Sequence, residues 1–105
     1  MKKESVYNIY FGLMDKNNNL VIDFDSFKLF ISEVLKELKV KYLISLNTGG
    51  YLKNDESYIT ENIVKLTVFD VDAGTINKIG LTIKNKLNQE CVIITKCVLD
   101  YEIIY

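Results

Sequence analysis

Residues 6–13, VYNIYFGL, alternate in polarity: Tyr7, Ile9, Phe11 and Leu13 fall on one face, and Val6, Asn8, Tyr10 and Gly12 on the other. That period suits a strand with one apolar face. Val6, Ile9, Tyr10 and Leu13 also fit a helical stripe, so the period alone leaves the segment open; its β-branched and aromatic content favours the strand. A polar turn, DKNNN, follows at 15–19. Asp23 then caps a helix in which Phe27, Phe30, Ile31, Val34, Leu35 and Leu38 recur at helical spacing, the strongest periodic signal in the chain.

KYLISLNTGGYLK, 41–53, reads as a strand interrupted at Gly49-Gly50 by a bulge or a close backbone approach. After the turn KNDES comes a long strand over 58–71, with Val64, Leu66 and Val68 on one face and Lys65, Thr67 and Phe69 on the other. Asp72 caps a second helix with Ile76, Ile79, Gly80, Ile83 and Leu87 inward. CVIITKCVLDYEIIY closes the chain as a strand, read with Cys91, Ile93, Cys97, Leu99, Tyr101 and Ile103 on its inner side. The order strand, helix, strand, strand, helix, strand predicts an α+β, ferredoxin-like βαββαβ fold: a four-stranded antiparallel sheet with both helices on one face, in a single domain over 1–105.

DKNNNLVIDFDSF, 15–27, imitates a calcium loop, with Asp15, Asn17, Asn19 and Asp23 at ligand positions and Ile22 at position 8. Leu20 replaces the glycine of the sharp turn, and Ser26 replaces the bidentate Glu. A strand is predicted before the loop, where an EF-hand has a helix. The stretch therefore reads as a strand-to-helix turn, and no metal ligands are assigned.

Composition narrows the chemistry. A chain of 105 residues, 49% hydrophobic and 26% charged, with net charge −1, has the make-up of an ordinary globular protein. It has no global positive field to draw it to nucleic acid or an anionic membrane. Lysines at 36, 39 and 41 and at 78, 84 and 86 read as solvated faces. The sequence has no His, Arg, Pro or Trp and is rich in Lys, Ile, Asn and Tyr, the signature of AT-rich codons and of a low-GC bacterium or its phage. No Ser-His or Cys-His pair can form, and no guanidinium clamps an anion. Acid–base work would fall to Glu, Asp, Lys, Tyr or Cys, and no cofactor is implied.

Cys91 and Cys97, six residues apart in one predicted strand, would be separated by about 20 Å, beyond disulfide reach. They read as buried small hydrophobes in a reducing cytoplasm. MKKESVYNIYFGLM lacks a small-residue cleavage site and is not read as a signal peptide. No apolar run has the length of a membrane span.

Several residues then stand out together: Tyr10-Phe11-Gly12 at the end of the first strand; Val21 or Ile22 with Asp23 opening a helix that holds Phe27 and Phe30; Gly50 and Tyr51; Glu61 before an apolar strand; and NQECV at 88–92. The chain is similar here to a family of small, functionally uncharacterised bacterial proteins with a Y-F-G opening, a Gly-x-aromatic strand, a Glu and a Q-E-x-V junction. It departs in having Tyr51 where Trp is usual and no Arg before Glu61. The resemblance implies the fold and lends little to function.

The sheet face away from the helices is expected to carry Val6, Asn8, Tyr10, Lys65, Thr67, Phe69, Val92, Ile94, Lys96, Val98 and Ile104. That is too apolar for open solvent and predicts a homodimer. The leading functional expectation is a non-catalytic module that binds or sequesters a small anionic, nucleotide-type ligand or a protein partner, as a phage-encoded antagonist of host defence would. Its site residues would be Tyr10, Asn47, Thr48, Gly49, Gly50, Tyr51, Glu61 and Lys65, with Lys53 nearby. They offer backbone N–H groups, a hydroxyl and a ring for stacking. The alternative is a small cofactor-free enzyme using Glu61, Tyr10 or Tyr51 in acid–base chemistry. A degenerate calcium binder ranks third.

Overall fold

A computed structural model of the chain describes residues 1–15, 17, 19–52 and 54–105, with only the backbone of Tyr51. Its elements are β1 (Lys2–Phe11), α1 (Phe24–Glu37), β2 (Lys41–Leu52), β3 (Tyr58–Phe69), α2 (Ala73–Lys86) and β4 (Ile93–Tyr101). The strands form one sheet in the order β2-β3-β1-β4, antiparallel throughout. This is the ferredoxin-like α+β arrangement that the element order predicts.

Both helices form because their apolar residues recur on one stripe and their ends are closed. The Asp23 and Asp72 carboxylates accept from the backbone N–H of Ser26 (2.8 Å) and Thr75 (2.6 Å), groups that would otherwise lack helical partners. At their C-termini, Lys39 (φ 56°) and Asn88 (φ 49°) turn left-handed. The next residues, Val40 and Gln89, donate back to Leu35 O (3.1 Å) and Lys84 O (3.0 Å), which ends each helix in a Schellman turn.

The core lies between the helices and one face of the sheet. Tyr7, Ile9 and Phe11 of β1 and Val64, Leu66 and Val68 of β3 pack on Phe27, Ile31 and Leu35 of α1, on Ile76, Ile79 and Ile83 of α2, and on Leu87 at its C-terminal end. Burial of each such side chain contributes about 1.5–3 kcal/mol before entropy is counted. Phe11 and Phe27 meet edge to face, with centroids 5.2 Å apart.

Three expectations need correction. The inner face of β4 is the opposite one. Ile94 pairs with Ile9 and Lys96 with Tyr7, so Ile94, Lys96 and Val98 face the helices, while Ile93, Cys97, Leu99 and Tyr101 lie on the open face. Adjacent apolar pairs in this strand (Ile93-Ile94, Cys97-Val98) fit either phase, and pairing with β1 chooses between them. Cys91 and Cys97 are exposed, not buried, and Cys91 precedes the strand. Gly49-Gly50 form no bulge, since Gly49 pairs with Glu61 and Gly50 with Thr60 in unbroken register. Close approach does occur there, because a Cβ on Gly50 would stand 2.7 Å from the Tyr58 Cζ.

The calcium reading fails on geometry. A strand precedes the loop. Asp15 Oδ1 is turned onto its own loop, accepting from the N–H of Asn17 (2.8 Å) and Asn19 (3.0 Å). Asp23 serves α1 as its cap. Lys16 and Asn18 of this loop, and Lys53 of the expected site, lie outside the described residues. Among the described residues, no helix is long and apolar enough to cross a membrane.

Candidate functional site

The sheet is not flush at one end. β1 stops at Phe11, opposite Val64, while β2 and β3 run on together to Leu52 and Tyr58 as a two-stranded arm. The position that β1 would have filled beside residues 58–63 is left vacant. Its other wall is formed by residues 12–15 and Leu20 and by the stretch leading into β4. Gln89 ties these two together, its Nε2 donating to Met14 O. The isolated bridge Met14–Leu20 holds the loop in shape.

The result is an open cleft of about 740 Å³ lined by Tyr10–Asp15, Leu20, Leu46, Thr60–Ile63, Gln89, Cys91 and Ile93. That volume lies in the usual range for small-molecule sites. The described charged residues in the lining, Asp15 and Glu61, are both acidic. Tyr10 supplies a ring and a hydroxyl, and Asn62 and Gln89 supply amides.

Of the residues expected from sequence, Tyr10 and Glu61 line the cleft. Lys65 stands just outside it, directly opposite Tyr10 on the open face. Asn47, Thr48, Gly49 and Gly50 belong to the arm but not to the lining. Thr48 Oγ1 donates to Asn62 Oδ1 (3.3 Å) and Asn47 Nδ2 to Ser45 Oγ (3.1 Å). The side chain of Tyr51 lies outside the described residues. The backbone of 47–50 is extended, with no glycine at positive φ. Successive N–H groups of an extended strand point to opposite edges, so they cannot converge on an anion.

Sequence reasoning did not assign Asp15, Asn62, Gln89 or Cys91 to the site. Asp15 was visible only as a false calcium ligand. Gln89 and Cys91 lie in NQECV, and that motif meets Tyr10-Phe11-Gly12 and Glu61 at the cleft. Nothing in the sequence marked Asn62.

No family model matches the chain, and no curated protein matches it in sequence. Solved structures do match its fold. One is a phage SAM lyase in complex with S-methyl-5'-thioadenosine, with TM-score 0.68 and 16% identity, covering 90% of this chain and 80% of that one. Another is a phage SAM lyase in the apo state, with TM-score 0.61 and 17% identity, covering 91% and 84%. At these identities the likeness is one of fold: the chain shares the βαββαβ architecture of phage SAM lyases.

Proposed function

We propose that the cleft binds a thioadenosine-type nucleoside, the class represented by SAM and S-methyl-5'-thioadenosine. The observation that carries this reading is the cleft itself, large enough to hold a nucleoside and lined by Tyr10, Asn62, Gln89 and two carboxylates. Amide side chains offer the donor and acceptor that an adenine edge requires. Carboxylates accept from ribose hydroxyls and attract a cationic sulfonium. The same lining argues against the anionic ligand expected from the Thr48–Gly50 stretch, because two acidic groups repel one. The fold shared with a lyase that holds this nucleoside supports the choice of ligand class.

Turnover is the second reading, favoured by Glu61 lining the same cleft as Tyr10. Breaking a sulfonium C–S bond needs no cofactor. In an elimination, a base takes a proton from the neighbouring carbon, the C–H pair becomes the double bond, and the C–S pair neutralises the sulfur. Glu61 is the base in that scheme. It is exposed on the arm, so the dry setting that would strengthen it must come with the ligand.

A second copy of the chain belongs on the part of the open face away from the cleft, which carries Leu43 (65% exposed), Phe69, Leu99 (44%) and Tyr101. Holding or destroying such a nucleoside in a host's cytoplasm is how a small phage-type protein would oppose a defence that depends on it.

Thermal shift and calorimetry with S-methyl-5'-thioadenosine and SAM test the reading, with mass spectrometry of the recovered ligand. A rise in Tm with SAM recovered intact supports binding alone. Conversion of SAM to S-methyl-5'-thioadenosine supports turnover. No Tm change with either compound at millimolar concentration refutes the proposal.

A further inference from the structure

Across the open face the strands align in rows, one of which reads Ser45, Lys65, Tyr10, Ile93 from β2 to β4. Tyr10 and Ile93 of this row are walls of the cleft, so Lys65 stands one strand away from it. Three other lysines of the sheet are occupied, and Lys2, at the end of β1, is exposed to water. Lys3 pairs with Asp100 (3.2 Å), Lys41 lies over the Phe69 ring (4.7 Å to centroid), and Lys96 lies over Tyr7 (5.6 Å). Lys65 is half-buried, and among the described residues it has no carboxylate, ring or hydrogen-bond acceptor as partner. A cation partly removed from water without a counter-charge is electrostatically incomplete.

The charges along β3 supply the rest. Glu61, Ile63 and Lys65 alternate onto one face, with Glu61 and Lys65 about 13 Å apart along an extended strand. An acidic and a basic group on one face, with an apolar residue between them, complement a molecule whose positive and negative groups are separated by a short carbon chain. An amino-acid group attached through sulfur to a nucleoside is such a molecule. The nucleoside sits in the cleft, the sulfonium or ammonium faces Glu61, and the carboxylate is left to be met. The chain has no arginine, so that contact falls to a lysine acting as a point charge.

Resting on the nucleoside reading above, we propose that Lys65 is the specificity-determining residue of the cleft. Its ammonium receives the carboxylate of an amino-acid group carried on the nucleoside's sulfur, so the site distinguishes SAM-type ligands from the bare thionucleoside.

The test compares two ligands on wild type, Lys65→Met and Lys65→Arg, each first shown to melt cooperatively. S-Adenosylhomocysteine keeps the amino-acid end and, as a thioether, cannot be consumed as a sulfonium; S-methyl-5'-thioadenosine lacks that end. Lys65→Met is expected to weaken S-adenosylhomocysteine about tenfold, the scale of one charge-assisted contact, and to leave S-methyl-5'-thioadenosine within about twofold. Lys65→Arg should restore most of the loss. Equal weakening of both ligands, or of neither, overturns the role of Lys65 while the nucleoside reading stands. Binding of neither ligand to wild type overturns both.

Discussion

The terminal methyl carbon of Ile94 lies 3.2 Å from the point where a β-carbon on Gly80 would stand. Gly80 is buried inside α2, where glycine costs about 1 kcal/mol relative to alanine. Two effects therefore compete in Gly80→Ala: the gain in helix propensity and the need for Ile94 to give way. Ile94 is half-buried near the start of β4, and the crowding atom is the free end of its side chain, so a shift of a few tenths of an ångström is cheap. Gly80→Ala should raise stability by up to about 1 kcal/mol. Gly80→Leu, which must also displace Val92, should lower it by about 1–3 kcal/mol. Urea denaturation measures both, and a destabilised alanine variant would mean that α2 is locked against Ile94.

That contact also shows what the sequence could and could not disclose. Both helices were legible because their apolar stripes and their caps, Asp23 and Asp72, agree. β1 and β3 were legible because their inward residues are apolar and their outward neighbours mostly polar. β4 was not. Ile93 and Ile94 are chemically equivalent, and the choice depends on which of them meets Ile9 and Gly80. The cleft was half legible: Tyr10 and Glu61 carry evident chemistry, whereas Asn62 and Asp15 join them only because β1 ends early. An early strand end leaves no mark on local composition.

The two helix caps predict a limb of acid sensitivity. The backbone N–H and hydroxyl of Ser26 hold the Asp23 carboxyl below its ordinary 3.8, and the N–H and hydroxyl of Thr75 do the same for Asp72. In both cases the folded value is the lower one. The stabilising effect is therefore complete above the ordinary carboxylate range and is lost as pH falls through the lowered folded values. Asparagine keeps a cap acceptor without titrating. Asp23→Asn with Asp72→Asn should leave Tm near wild type at pH 7 and reduce the drop in Tm below about pH 4. An unchanged acid limb in thermal melts across pH would remove these carboxylates as its source.

Lys39 holds φ at 56° because the Schellman turn after α1 requires it, with Lys39 N–H donating to Lys36 O (3.1 Å). A side chain with a Cβ is strained in that region, and glycine is not. Lys39→Gly should raise stability by about 0.5–1 kcal/mol even though it removes an exposed charge. Asn88→Gly, at the equivalent turn after α2, should gain less, since asparagine already tolerates the conformation. Chemical denaturation of the two variants side by side provides the measurement, and a larger gain at Asn88 would contradict the strain argument.

The two exposed thiols report on different surfaces. Cys91 lines the cleft beside Gln89 and Ile93, whereas Cys97 sits on the open face in the row of Val6 and Phe69. Iodoacetamide should label both in the native protein without denaturant, in contrast to buried thiols, which would require unfolding first. A ligand held in the cleft covers the first site and leaves the second bare. Saturating S-methyl-5'-thioadenosine should therefore slow alkylation of Cys91 several-fold, read by peptide mass spectrometry, with Cys97 unchanged. If a second copy covers the open face, raising the protein concentration should slow Cys97 and leave Cys91 alone. Ligand protection of Cys97 in place of Cys91 would move the nucleoside site from the end of β1 to the middle of the sheet.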